Sequence, residues 1–224
     1  MTDSVPVIAI DGPSGSGKGT VTQRVAAHLG WRVLDSGALY RLVGFAVDKA
    51  GIGFDDDNKI SEIAHNLNVK FDGGDILLDG ADVTDLIRTE TAGNNASKVA
   101  AMPGVRAALL DWQRDYAQPP GLVADGRDMG TTVFPHAGVK IFLTASAAER
   151  ARRRHKQLIE KGLPANLAAL TAEIEERDAR DQSRAASPLV PAPDAVEIDS
   201  TTLGIEKVVE MVLQKANEVY ATKR

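Results

Sequence analysis

The sequence predicts an α/β fold in which five parallel strands form a sheet that helices cover on both faces. Three short apolar runs, at residues 5–10, 122–125 and 139–143, have the continuous hydrophobicity of strands buried on both faces. Further short strands are expected at residues 31–36 and 195–199, and segments of helical period separate the strands. Alternation of strands and helices is typical of a parallel sheet, whose ligands bind at the carboxyl ends of the strands.

A glycine-rich turn follows the first strand and leads into a helix expected at residues 20–29. Gly12 and Gly17-Lys18 fit the pattern G-x-x-x-x-G-K of a phosphate-binding loop, or P-loop, whose backbone N–H groups cradle phosphate oxygens. In this context the motif predicts a P-loop NTPase core, although an ordinary glycine-rich turn is the alternative. Gly19 stands where the pattern has Ser or Thr, and Thr20 can supply that hydroxyl instead. The predicted phosphate-binding residues are Gly12, Pro13, Ser14, Gly15, Ser16, Gly17, Lys18, Gly19 and Thr20.

The second strand leads into a helix expected at residues 38–50, with Ser36 as its cap. Arg41 falls in the first turns of this helix, where a cation opposes the helix dipole. We therefore expect an anionic partner for Arg41, and a solvated helical arginine is the alternative.

The pattern changes at residues 69–84, where three short apolar runs are split by turn residues. The turns Asp72-Gly73-Gly74-Asp75 and Asp79-Gly80 are typical of β-hairpins. We expect a small antiparallel β insert here, followed by helices at residues 93–99 and 103–116.

Asp125 ends the apolar strand at residues 122–125, as a Walker-B-type aspartate does. Together with Thr20 it is a candidate ligand of Mg²⁺, which prefers carboxylate and phosphate oxygens. Arg127 and Asp128 follow at once and offer a guanidinium for a phosphate and a carboxylate for an amino group. The alternatives are an aspartate that only starts a turn, and a surface ion pair between Arg127 and Asp128.

Two arginine-rich helices are predicted near the carboxyl end of the chain. The first starts at Ser146 and breaks at Gly162 and Pro164, and the second covers residues 167–184, with Arg177, Arg180 and Arg184 on one face. Residues 150–184 are therefore a candidate helical lid, whose arginines are suited to a transferring phosphoryl group. An ordinary salt-bridged exterior is the alternative. A final helix is expected at residues 203–220.

The composition narrows the class of protein. The chain has 224 residues, which suits one domain of P-loop size or two small ones, and we expect a single P-loop domain over residues 1–224. It has no cysteine for disulfides or thiolate metal sites. Its net charge of −5 argues against general nucleic-acid binding. The chain has no long uncharged apolar segment, so we expect no transmembrane helix. Residues 1–4 lack a basic stretch, so we expect no signal peptide there. We expect a cytoplasmic monomer.

The sequence resembles the bacterial cytidylate kinases over nearly its whole length. The resemblance is carried, in order along the chain, by residues 10–20, 34–41, 125–131, 177–181, 188–192 and 198–201. It implies a P-loop nucleoside monophosphate kinase of pyrimidine metabolism, which transfers the γ-phosphoryl group of ATP to CMP or dCMP with Mg²⁺. It also implies that residues 62–100 form a monophosphate-binding insert, and Gly19 fits this family.

The resemblance further implies that residues 12–20 cradle the ATP phosphates, and that Lys18, Arg127 and Arg184 act on the transferring group. The acceptor-binding positions fall into four sets. They are Ser36, Arg41 and Arg127 for the monophosphate; Ser97, Arg106 and Asp128 for the cytosine edge; Arg177 and Asp181 for the ribose and phosphate; and Arg184 for the transferring phosphoryl group.

Two other functions are the alternatives to a cytidylate kinase activity. Another small-molecule kinase, for a different nucleotide or of the shikimate type, is opposed by the β insert and Asp128. A nucleotide-gated switch of the GTPase kind would carry Asn-Lys-x-Asp, whereas Asn58-Lys59-Ile60-Ser61 lacks the Asp and precedes the insert.

Overall fold

A computed structural model describes residues 5–72 and 74–220 of the protein. The chain divides into two compact units. The first takes in the described residues up to Leu34 and from Tyr116 onward, and the second is Asp35–Asp115. None of the helices within these described ranges is long and apolar enough to span a membrane.

The helices and strands follow one another along the chain much as predicted. The strands are β1 Val7–Asp11, β2 Arg32–Asp35, β3 Val69–Asp72, β4 Asp75–Leu78, β5 Ala81–Asp82, β6 Leu122–Gly126, β7 Val139–Thr144 and β8 Val196–Asp199. The α-helices are α1 Lys18–Leu29, α2 Ser36–Lys49, α3 Asp57–His65, α4 Glu90–Val99, α5 Pro103–Asp115, α6 Ala147–Glu160, α7 Leu167–Gln182 and α8 Ile205–Tyr220.

The five-stranded parallel sheet predicted from the sequence is confirmed. Its order is β2-β6-β1-β7-β8, and β1 pairs in parallel with β6 and with β7. Every residue of β1 and of β6 is buried, which explains why both strands are continuous apolar runs. The register pairs Asp11 with Gly126, so the ends of β1 and β6 lie side by side at the carboxyl edge of the sheet. The core of the sheet and of helices α1 and α8 is formed by Ile8, Ile10, Val21, Val25, Val123, Ile141, Leu143, Val208 and Val212.

The small antiparallel β insert is also confirmed, in the second unit. Strands β3, β4 and β5 form a three-stranded sheet, with both neighbouring pairs antiparallel. Asp79 has a left-handed φ of 52° in the turn before β5, a conformation that aspartate adopts more readily than most residues. In the turn before β4, Gly73 lies outside the described residues. Phe71 and Trp112 anchor the insert to α5, with ring centroids 5.9 Å apart.

One local expectation is corrected. Ser36 does not cap α2, because Asp35 is the N-cap residue and its Oδ1 accepts a hydrogen bond of 3.0 Å from the Ala38 N–H. Ser36 is instead the first residue of the helix and is buried. The sequence also gives no hint of the π-helical turn at Met129–Val133, which follows β6.

Candidate active site

The phosphate loop runs from the end of β1 to the start of α1. Gly12 has a φ of 151°, and a Cβ atom placed on it would lie 2.0 Å from the Leu143 carbonyl oxygen of β7. Only glycine therefore allows the loop to leave the sheet this close to its neighbouring strand. The buried Lys18 folds back over the loop, and its Nζ donates a hydrogen bond of 3.1 Å to the Pro13 carbonyl oxygen. Pro13 and Lys18 thus border the same small loop, as a phosphate cradle requires.

Asp125 lies against the first turn of α1. A Cβ atom placed on Gly19 would lie 3.5 Å from Asp125 Oδ2, and the Asp125 side chain is buried. Thr20, the next residue of the helix, is exposed. A carboxylate beside a hydroxyl at a helix N-terminus is a donor set that fits Mg²⁺. Residues 5–72 and 74–220 contain no group of three or more His, Asp or Glu side chains that could hold a metal ion, so phosphate and water would have to supply the other ligands.

A buried carboxylate in the first unit forms ion pairs with two arginines. Asp181 on α7 is 0% exposed and pairs with Arg127 through Nε and with Arg184 through Nη2. Burial by itself would raise the pKa of Asp181, but the guanidinium groups of Arg127, Arg184 and Arg177 outweigh it and hold that pKa below its ordinary value. The carboxylate is therefore ionised at neutral pH. Breaking a buried ion pair of this kind by removing the carboxylate costs about 3–5 kcal/mol.

A second buried carboxylate, at the end of β1, holds the segment that contains Asp128. Asp11 accepts two hydrogen bonds of 2.8 Å, from the N–H groups of Met129 and Gly130. Burial raises the pKa of Asp11 to about 6; the nearby charge of Asp128 adds to the rise, whereas the two N–H groups and Lys18 oppose it. Asp128 itself is buried at the start of this turn. Asp11 thus fixes the backbone directly after the predicted base-reading residue.

The second unit contains the four remaining predicted residues. Arg41 Nη1 donates to the carbonyl oxygens of Ile87 and Thr89, at 2.9 and 3.1 Å. Arg106 Nη1 donates to the Ala100 carbonyl oxygen at 3.2 Å, and its guanidinium lies 5.7 Å from the centre of the Tyr40 ring. Ser36 and Ser97 are both buried. Among the described residues, Ser97 Oγ has no hydrogen-bond partner, which is unusual for a buried hydroxyl and fits a group that meets a ligand.

The comparisons with known proteins identify the family. A sequence model described as "Cytidylate kinase" matches residues 8–218. The chain belongs to the cytidylate kinase family. A cytidylate kinase of Stutzerimonas stutzeri is 55% identical over 221 residues, which cover 96% of this chain and 96% of the relative. A cytidylate kinase of Bordetella bronchiseptica is 56% identical over 210 residues, covering 94% of each chain.

A solved structure of an uncharacterized protein from Eubacterium ventriosum supports the fold alone. It aligns with a TM-score of 0.53 at 12% identity and covers 95% of this chain and 98% of its own. At that identity it carries no information on the substrate.

Two further arginines, for which the sequence predicts no individual role, lie against the phosphate loop. Arg150 and Arg153 belong to the first helix of the candidate lid at residues 150–184. In the structure, Arg150 Nη1 donates to the Ser14 carbonyl oxygen at 3.0 Å, and Arg153 Nη1 donates to the Ser16 carbonyl oxygen at 3.3 Å. The only signal in the sequence is their position in the first two turns after the β7 strand. Asp11, at the end of β1, is likewise a site residue for which the sequence predicts no role.

Proposed function

We propose that the protein transfers the γ-phosphoryl group of ATP to CMP or dCMP, giving ADP and CDP or dCDP. The observation that carries the proposal is that cytidylate kinases are more than half identical to this chain over nearly its whole length. The geometry of the first unit supports it, because a phosphate loop and a set of arginines held by Asp181 occur in the same unit. We also predict that the enzyme is cytoplasmic and monomeric.

In the proposed reaction an oxygen of the CMP phosphate attacks the γ-phosphorus of ATP in line. A new bond forms between that oxygen and phosphorus as the bond to the β–γ bridging oxygen breaks, and ADP leaves. The attacking phosphate is already largely ionised at neutral pH, so no general base is required. The protein contributes positioning and charge: Lys18 offsets charge on the β- and γ-phosphates, and Arg127 and Arg184 stabilise charge on the transferring group.

Asp125 and Thr20 are the residues we propose for holding Mg²⁺. The contact between Asp125 and the first turn of α1 supports this choice. When bound, the ion would neutralise negative charge on the β- and γ-phosphate oxygens. Without the ion, a negative charge on Asp125 would lie close to the negative phosphate oxygens, which is unfavourable.

For the base, we propose that Asp128 accepts a hydrogen bond from the 4-amino group of cytosine. Uracil presents a carbonyl oxygen at that position, which a carboxylate repels. Ser97 and Arg106 are proposed to complete the reading of the cytosine edge, and the unpartnered Ser97 Oγ supports this role. Ser36, Arg41 and Arg177 are proposed to bind the phosphate and ribose.

The test is an assay of ADP release with ATP, Mg²⁺ and each of CMP, dCMP, UMP, AMP and GMP in turn. We expect CMP and dCMP to give the highest kcat/KM. UMP should be lower by about tenfold or more, because an opposed buried polar group costs roughly 1–3 kcal/mol. A preference for a purine nucleotide would overturn the proposal in favour of another small-molecule kinase. Phosphate release without any acceptor would overturn it in favour of a nucleotide-gated switch.

A further inference from the structure

Arg150 is an unusual surface-helix arginine because almost none of it reaches solvent. It lies in the first turn of α6 and is 3% exposed. Its stem packs against the phosphate loop at Gly15, where an added Cβ atom would lie 3.3 Å from the Cβ of Arg150. Gly15 also has a left-handed φ of 78°, so a glycine is needed there on two counts.

The guanidinium group of Arg150 joins three separate parts of the first unit. Nε donates to the Ala145 carbonyl oxygen at 2.8 Å, and Nη1 donates to the Ser14 carbonyl oxygen at 3.0 Å. On α7, Asp178 accepts from both Nη1, at 3.1 Å, and Nη2. The planar fork of arginine can make these contacts together, whereas a lysine can only place one ammonium group among them.

Asp178 connects this contact to the cluster around Asp181. The two aspartates lie three residues apart on α7, so they are neighbours on one face of the helix. Asp181 in turn pairs with Arg127 and Arg184. A continuous chain of hydrogen bonds and one helical turn therefore runs from Ser14 in the phosphate loop to the arginines proposed to act on the transferring group.

We propose that Arg150 is a positioning residue for phosphoryl transfer. With Asp178 as its partner, it holds the phosphate loop and α7 in one fixed arrangement, so that the γ-phosphate and Arg184 are aligned. The inference rests on the proposed function and adds to it a buried residue that is not among the positions proposed to bind either nucleotide. Misplacement of catalytic groups by about 1 Å can cost up to a hundredfold in rate, so a change at Arg150 should act mainly on kcat.

The experiment compares Arg150→Lys, Asp178→Asn and the double variant in the forward reaction with ATP and CMP. We expect each single variant to lower kcat by about tenfold or more, with KM for both nucleotides within about threefold of the wild-type value. Because the two residues act as a pair, the double variant should be little worse than the worse single variant. Arg152→Gln is the matched control, since Arg152 lies on the same helix, its side chain is 61% exposed, and it pairs with the neighbouring Glu149.

The thermal midpoint of every variant is measured alongside, and kcat is determined well below it. A lower midpoint with kcat within about twofold of wild type would overturn the proposal, because Arg150 would then be structural only. Losses of kcat that multiply in the double variant would also overturn it. The Asp178 side chain is 20% exposed, so a substitution there disturbs folding less than one at Arg150. Asp178→Asn therefore keeps the test valid if Arg150→Lys does not fold.

A wild-type protein that phosphorylates CMP while the variants have normal kcat refutes this inference alone, whereas a wild-type protein inactive on CMP refutes the proposed function as well.

Discussion

At the scale of single residues, Lys18 is the side chain whose loss should separate chemistry from folding most cleanly. It is buried over the phosphate loop, where its charge would meet the developing charge on the γ-phosphoryl group. We expect Lys18→Met to keep the fold, because Met fills a similar volume, but to lower kcat by about a hundredfold or more. Circular dichroism and steady-state kinetics check the two halves of the prediction. Near-normal turnover in a folded variant would refute the role of Lys18.

Asp128 carries the prediction on the choice of base. Asp128→Ala should lower kcat/KM for CMP far more than for UMP, so that the ratio between the two substrates shrinks by about tenfold. Steady-state assays with both substrates give the ratio directly. If both values fall in parallel, Asp128 supports the fold or the phosphate end, and the reading of cytosine would rest on Ser97 and Arg106.

At the scale of secondary-structure elements, α6 and α7 are the helices of the candidate lid at residues 150–184. The turn between them has a left-handed Gly162, and Ile159 and Leu163 beside it are exposed apolar side chains. The N-terminal turn of α6 is hydrogen-bonded to the phosphate loop through Arg150. We therefore expect hydrogen exchange in residues 150–184 to slow when ATP and CMP analogues bind together, with the largest change near Gly162. Equal protection with and without nucleotides would contradict a lid.

The helices and strands show why most of the fold could be predicted. The strand expected at residues 139–143 is observed as Val139–Thr144, and the helix expected at residues 103–116 as Pro103–Asp115. Both follow from local signals: an apolar run in the first case, and a proline that starts an amphipathic helix in the second.

What could not be predicted depends on contacts that are distant in the sequence. Except for Met129, the residues of the turn at Met129–Val133 have weak helix propensity. The acceptor for its first N–H groups is Asp11, which is 118 residues away from Met129. The contact of Arg150 with Ser14 spans 136 residues. The motif around Lys18 could be read from the sequence because its chemistry is built from consecutive residues. The pairing of Asp181 with Arg127 could not, because only the folded chain places the end of β6 against α7.

At the scale of the whole molecule, Asp11 gives stability an uncommon pH dependence. Its pKa is about 6 in the folded protein and 3.8 in an ordinary aspartate. Between these values the folded state holds a proton that the unfolded state has released, so Asp11 makes the free energy of unfolding fall as pH rises from about 4 to about 6. The loss amounts to about 3 kcal/mol and is complete above pH 6.

Urea unfolding from pH 4 to pH 7 tests this prediction, with Asp11→Asn as the control that cannot titrate. The difference in the free energy of unfolding, wild type minus Asp11→Asn, should fall across that range. Asp128 and Lys18 face Asp11 in both proteins and contribute to both curves. A difference that stays flat or rises with pH would show that Asp11 is ionised throughout.

We propose that this protein moves a phosphoryl group from ATP to CMP and not to water. Phosphorus NMR of a single reaction containing ATP, Mg²⁺ and CMP measures every phosphorus-containing product at once. We expect ADP and CDP to appear in equal amounts without inorganic phosphate, and ATP to be stable when CMP is left out. Formation of inorganic phosphate in place of CDP, or consumption of ATP at the same rate without CMP, would contradict it.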